Sequence, residues 1–389
     1  MRLVLLLPAL LACAPEEATI PAPPAADCAS ALADNALSPD ATPVFTEDFG
    51  RWNGLGDVCA DGKPVVVYGD LTISGDQPEL ERLRCVQAVS GRLDLSGDLP
   101  PIPELLPDLR LAGTVAIWDY PITSLAGLER VFSRSSALHV SGDSSLTDVG
   151  ALACAPDVAV DLGPGAGRVR RVDLSSAVSG SFRMEDERGV EHIAASAQTR
   201  GLDIDVRFAP GLLDILVPEG GVAGQVWVRS APQLQAVDVA AQGLWLEDTH
   251  ALQWVEVTLD PPPGVFSTLM ISGAGNLRRL SLTLRAPESS LVLDGVESLE
   301  AIDGGADGTW YDEVYLSRTG LHDLGFLANV TRIEGSLVLM ENEALADVSA
   351  LGRLESIGGD VWVEGNDVTA AEVRQVLAGV DIAGTVTIE

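Results

Sequence analysis

One short pattern recurs along most of this chain and leaves few folds open to it. A strand-like x-Φ-x-Φ-x run, where Φ is aliphatic or aromatic, starts its first Φ at Leu71, Leu93, Val115, Leu138, Val158, Phe182, Ile204, Val226, Leu244, Leu269, Leu291, Val314, Leu337, Val361 and Val386. The fourteen steps span 315 residues, 22.5 each, and the shortest and longest are 18 and 25. A segment of that length cannot bury its own apolar edge, whereas stacked copies cover one another and continue a narrow core. The pattern predicts a mainly all-β chain: a right-handed parallel β-helix or solenoid of about fifteen coils over residues 65–389. Parallel strands need no hairpins, so the lack of Asn-Gly turns agrees with it.

A second set, Val172/Leu174, Ile215/Val217, Val237/Val239, Val255/Val257 and Leu280/Leu282, keeps the same spacing and predicts two or three β faces per coil in the middle. Composition fits narrow coils with frequent tight corners: 47% of residues are hydrophobic but only 5% aromatic, and 39 are glycine. Asp367 to Leu377 reads as a short C-terminal helix, capped by Asp367 or Thr369, before a last strand at 386–388.

The first residues have another character. Met1-Arg2 and the apolar run Leu3–Leu11 make a short export signal, since a membrane span needs about 20 apolar residues. Residues 1–12 are therefore expected to be cleaved. Leu10-Leu11-Ala12-Cys13 resembles the lipobox of bacterial lipoproteins, which implies an acylated Cys13 as membrane anchor. By the same resemblance, Ala14 after the cysteine implies the outer membrane. Residues 13–27, with Pro15, Pro21, Pro23 and Pro24, read as an extended tether. Residues 28–64, with Phe45, Phe49 and Trp52, lack the repeat and are expected to cap the first coil.

The outer coils carry a further signature. Leu345-Ala-Asp-Val348-Ser-Ala-Leu351-Gly-Arg-Leu354-Glu-Ser-Ile357-Gly-Gly, running on to Val361 and Asn366, resembles the repeat of receptor L domains, relatives of leucine-rich repeats. The resemblance covers about 65–160 and 290–389 and fades between them. It implies extracellular display and binding of a ligand or partner, and no catalytic residues.

Four cysteines remain beside Cys13. Cys59 and Cys85 lead into adjacent coils and form the favoured pair. Cys85 and Cys154 are three coils apart, about 14 Å at the stacking rise, too far for a bridge. Cys28–Cys59 is the next alternative, and Cys28 and Cys154 are the residues left by the favoured pair.

The net charge of −33 excludes a nucleic-acid binder, which needs a basic stripe for phosphates. No Gly-x-Ser-x-Gly, HExxH or Cys/His arrangement points to catalysis, and Gly163–Gly167 lacks the Lys-Ser/Thr of a phosphate loop. His139, His192, His250 and His322 fall in separate coils, so no metal site is expected. No cofactor is expected either. Asp303–Gly308 reads as a turn. The outward position between the two inward residues of each coil is polar or small at first. From Trp227 on it is aromatic or apolar: Trp227, Trp245, Met270, Val292, Tyr315, Val338, Trp362. Such a stripe marks a contact surface for a protein or a glycan. Asp161, Glu185–Glu187 and Asp205 crowd carboxylates in nearby coils, but Arg183, Arg207 and Arg229 interleave and make a surface charge ladder. The expectation is a non-catalytic, surface-anchored binding or adhesion scaffold using the Trp227–Trp362 face; the alternatives are a polysaccharide-active β-helix enzyme and a rigid spacer.

Overall fold

A computed structural model describes Cys28, residues 36–45, Cys59, and residues 62–75, 80–134, 136–142, 145–165, 169–186, 188–218, 220–285, 289–305, 308–310 and 312–389. The signal, Cys13, the tether, Phe49, Trp52, Glu187 and Asp307 lie outside these residues. The described chain is a parallel β-solenoid. Fifteen strands stack in register into one front face, from Leu71–Ser74 at one end to Val386–Ile388 at the other. Alternation sends two side chains of each strand before the last inward, such as Leu244 and Leu246, both 0% exposed, while in the last strand Ile388 is buried and Val386 is exposed. The core is thus one continuous column of aliphatic layers running along the axis.

One start in the series moves. Leu138 pairs with Val160, not Val158, and Val160 pairs with Phe182. The segment Val158-Ala-Val160-Asp-Leu162 offers two frames two residues apart, and both keep the same face. The neighbouring coils choose the one that places Val160 and Leu162 over Leu138 and Val140. Asp161 consequently joins the first outward column, between His139 and Arg183, instead of the next column along.

A side face adjoins the front face in the middle coils. Val172, Ile193, Ile215, Val237, Val255, Leu280 and Ile302 are in register there. Ile193 and Ile302 add coils that the sequence pattern alone did not single out. Near the C-terminus a four-stranded sheet, Gly308–Trp310, Val330–Ile333, Ser356–Ile357 and Asp381–Ile382, takes over. The helix Ala370–Val376 is capped by Thr369, whose side chain accepts from the Glu372 N–H while Glu372 reaches back to the Thr369 N–H. Two further single-turn helices, Ile102–Leu105 and Glu129–Phe132, occur in the first coils.

The two corners of a middle coil obey different rules. From front to side face the chain takes eleven residues in each of six successive coils, from Phe182→Ile193 to Leu291→Ile302. The constancy has a backbone cause. The residue closing each front strand is left-handed: Asp186, Phe208, Ser230, Asp248, Gly273 and Gly295 all have φ between 54° and 68°. Its N–H continues the ladder one step further, as from Phe208 to the Arg229 carbonyl (2.9 Å) and from Ser230 to Glu247 (2.9 Å). A small-x-x-Leu turn follows, with Leu212, Leu234, Leu252 and Leu277 N–H groups closing on residues 209, 231, 249 and 274. The outer coil that starts at Leu337 closes the equivalent turn in the same way, from the Leu345 N–H to the Asn342 carbonyl.

The return corner is variable. It takes eleven residues from Ile215 to Val226, seven from Val237 to Leu244, and fourteen from Val255 to Leu269. The short corner lies within one unbroken twelve-residue strand, Ala236–Glu247. Loops on both neighbouring coils rise beside it.

The first described strand, Thr42–Phe45, pairs in parallel with Val65–Tyr68 and extends the sheet past the first repeat. Val44 packs on the core, whereas Phe45 is 76% exposed and stacks on Tyr68. Cys59 bridges Cys85 and Cys28 bridges Cys154, with Cα atoms 5.6 and 5.1 Å apart. The alternative Cys28–Cys59 pairing does not form. Two disulfides fit export to an oxidising compartment. Among the described residues no helix is long and apolar enough to cross a membrane.

Candidate functional site

The outward column of the front face reaches solvent at every coil from Trp227 to Trp362, and no member is buried. Trp227 and Trp362 are 39% and 44% exposed. The structure brings together only part of the column. Trp227 and Trp245 stack with ring centroids 5.1 Å apart and planes 25° from parallel. Adjacent strands are about 4.8 Å apart, too close for two indoles lying flat side by side. The rings therefore face each other along the solenoid axis. Met270 follows in register, while Tyr315 is three coils beyond Trp245, about 14 Å, and Trp362 five coils, about 24 Å. The Trp362 indole N–H is turned to Glu364 (2.9 Å).

Two residues of small size shape the Trp pair. Gly243 lies two positions before Trp245 on the same face, and a Cβ there would stand 2.5 Å from the indole Cη2. The ring rests over the space that a side chain at 243 would fill. On the other side, Asp205 precedes Trp227 in the column. Since one face of Trp227 is covered by Trp245, its free face is turned toward the Asp205 coil.

That free face opens on a slot of about 260 Å³, lined by Asp205, Arg207, Trp227, Arg229, Trp245 and Glu247. Both arginines are held by carboxylates. Arg207 Nε and Nη2 donate to the two oxygens of Asp205 at 2.9 and 2.8 Å, and Arg229 Nε donates to Glu247 at 2.6 Å. These hydrogen bonds, and the charges behind them, push both guanidinium pKa values further up. The result is a fixed fork of donors and acceptors beside an aromatic face, with two positive and two negative groups that cancel. Arg183 likewise donates to Glu185 (2.8 Å), so the arginine ladder is paired as its spacing suggests.

Phe208, which the sequence pattern did not single out, adjoins this slot in the chain. It is 51% exposed and occupies a left-handed position (φ 54°) where neighbouring coils use Asp, Ser or Gly. Neither burial nor backbone preference accounts for it. Alignment of the turn positions would have shown a phenylalanine out of character.

The histidines are less solitary than expected. His139 Nδ1 lies 3.0 Å from Asp161, and His192 Nδ1 lies 2.7 Å from Asp214, each carboxylate one coil on. No group of three or more metal-binding side chains forms among the described residues. No protein-family model matches the chain, and no curated protein is similar to it.

Proposed function

We propose that this chain is a surface-displayed binding scaffold whose slot at Trp227 holds one ring of a neutral saccharide. The observation that carries the reading is the open face of Trp227 beside the Arg207–Asp205 and Arg229–Glu247 pairs. An indole face takes the C–H side of a pyranose, and forked ion pairs offer donors and acceptors to its hydroxyls. The charge at the slot is balanced, so a neutral ring suits it, and a polyanion would meet the overall charge of −33. Display follows from the lipobox-like Leu10–Cys13, with Cys13 acylated in the outer membrane and residues 14–27 as tether. The receptor L-domain-like coils at 65–160 and 290–389 support an extracellular ligand-binding role.

The test is calorimetric titration with neutral oligosaccharides, using Trp227→Ala and Arg207→Ala. Each substitution is expected to weaken binding by at least tenfold with the fold intact by circular dichroism. Equal affinity in Trp227→Ala removes the slot as the site, and no binding of any neutral oligosaccharide removes the ligand class. Cys13→Ser is expected to release the protein from membranes and abolish labelling by a fatty-acid analogue.

A further inference from the structure

The return corner of the coil that carries Trp245 is the short one, and its consequence is a second cavity. Seven residues turn this corner where the coils on either side use eleven and fourteen. Residues 217–218 and 220–222 on one side and the loop at 260–266 on the other stand beside it. Between them lies a notch of about 420 Å³ whose lining includes Arg200, Asp238, Glu256, Thr258, Asp260 and Arg285.

The acidic groups in it divide into two kinds. Asp260 is engaged, accepting from Arg285 Nη1 at 3.2 Å. Arg200 is engaged as well, donating to the carbonyls of Thr199 and Gly220. The carboxylates of Asp238 and Glu256 have no hydrogen bond or ion pair with a described residue. They are direct register partners on adjacent strands. In-register parallel strands hold the backbones of equivalent positions about 4.8 Å apart, which puts the two carboxyl groups within reach of the separation of about 5–5.5 Å that retaining glycoside hydrolysis uses. Their surroundings differ. Asp238 is half-buried and flanked on its other side by Leu216, an apolar side chain 40% exposed, whereas Glu256 is exposed.

We infer that the notch is a glycoside-cleaving site for neutral glycans, with Asp238 as general acid and Glu256 as nucleophile. In the first step the Glu256 carboxylate attacks the anomeric carbon while Asp238 gives its proton to the departing glycosidic oxygen. The carbon–oxygen bond breaks, the Glu256 ester forms, and the aglycon leaves as an alcohol. Water then attacks the same carbon, passes a proton to Asp238 and releases Glu256, so both groups return to their starting states. Burial, and secondarily the charge of Glu256, push the Asp238 pKa above the ordinary carboxylate value, the direction an acid needs. Arg200 and Arg285 border the cavity and leave the two carboxylates unpaired. This activity does not rest on the Trp227 slot.

The test uses the full chain with 4-nitrophenyl glycosides of neutral hexoses and pentoses in both anomers, and neutral polysaccharides assayed for new reducing ends. Nitrophenolate release is expected, falling at least about 100-fold in Glu256→Gln. Asp238→Asn should lose more activity on polysaccharide than on aryl glycosides, whose leaving group needs little protonation. Azide should restore turnover to Glu256→Ala and give a glycosyl azide of inverted anomeric configuration, because it attacks once from the side that Glu256 occupied. Release no faster than in the Asp238→Asn/Glu256→Gln double variant for every substrate, or full activity in Glu256→Gln, overturns the assignment.

Discussion

Replacing Gly243 by alanine should reverse the usual sign of a glycine substitution. Gly243 lies within a strand and outside the left-handed region, so alanine suits its backbone. At such a position Gly→Ala ordinarily stabilises by about 0.4–1 kcal/mol through the unfolded state. Here the new Cβ meets Gln225 Oε1 at 2.4 Å and the Trp245 ring at 2.5 and 2.6 Å. Those atoms are the far ends of side chains, so the backbone stays and the indole swings away. Losing the stack on Trp227 costs about 0.5–1.5 kcal/mol, and holding Trp245 off its rotamer costs about 0.5–1.5 kcal/mol more. The two together exceed the entropic gain, leaving a net destabilisation of about 1 kcal/mol. The assay is a urea-denaturation cycle with Trp245→Ala, joined to near-ultraviolet circular dichroism for the coupled indoles. In the Trp245→Ala background Gly243→Ala should be neutral or stabilising. Equal stabilisation in both backgrounds, with the indole coupling intact, would refute the reasoning.

Three further outcomes follow from other residues. Asn342 is fully buried, accepts from the Thr319 N–H and hydroxyl, and donates to Leu316 and Asn366; Asn342→Ala should cost about 2–4 kcal/mol in urea denaturation by stranding buried partners. Phe208→Gly should raise stability by about 1 kcal/mol by relieving a left-handed residue, measured by the same denaturation. Because the folded-state pKa of Asp238 is raised, its ionisation opposes folding. Asp238→Asn should therefore be more stable than the parent at pH 7, with the advantage shrinking on acidification and gone below the unfolded-state value near 3.9, as thermal melts across that range would show.

The opening pattern already held the coil count, the front-face register and the last strand, because inward residues of stacked strands must repeat at the spacing of one turn. Fourteen of the fifteen starts stand; at the fifteenth, Val158-Ala-Val160-Asp-Leu162 contains two equivalent frames, and only contact with Leu138 and Val140 separates them. The Cys59–Cys85 pair was legible for the same reason, since adjacent coils bring those residues near. The outward stripe was legible as a list but not as a site. Alternation says that Trp227 and Trp245 share a face, but not that their rings turn toward each other and leave one face free. That depended on the empty space over Gly243 and on which neighbour, Asp205 or Trp245, lies on each side. The notch was present only as an 18-residue step between Val226 and Leu244. A step length cannot tell which corner has lost residues, and so cannot show that Asp238 and Glu256 line the gap. By itself the sequence determined the solenoid and its period, because burial of repeated aliphatic pairs admits little else. The tertiary structure decided where the surface opens, because openings depend on corner lengths and ring orientations that the inward pattern does not constrain.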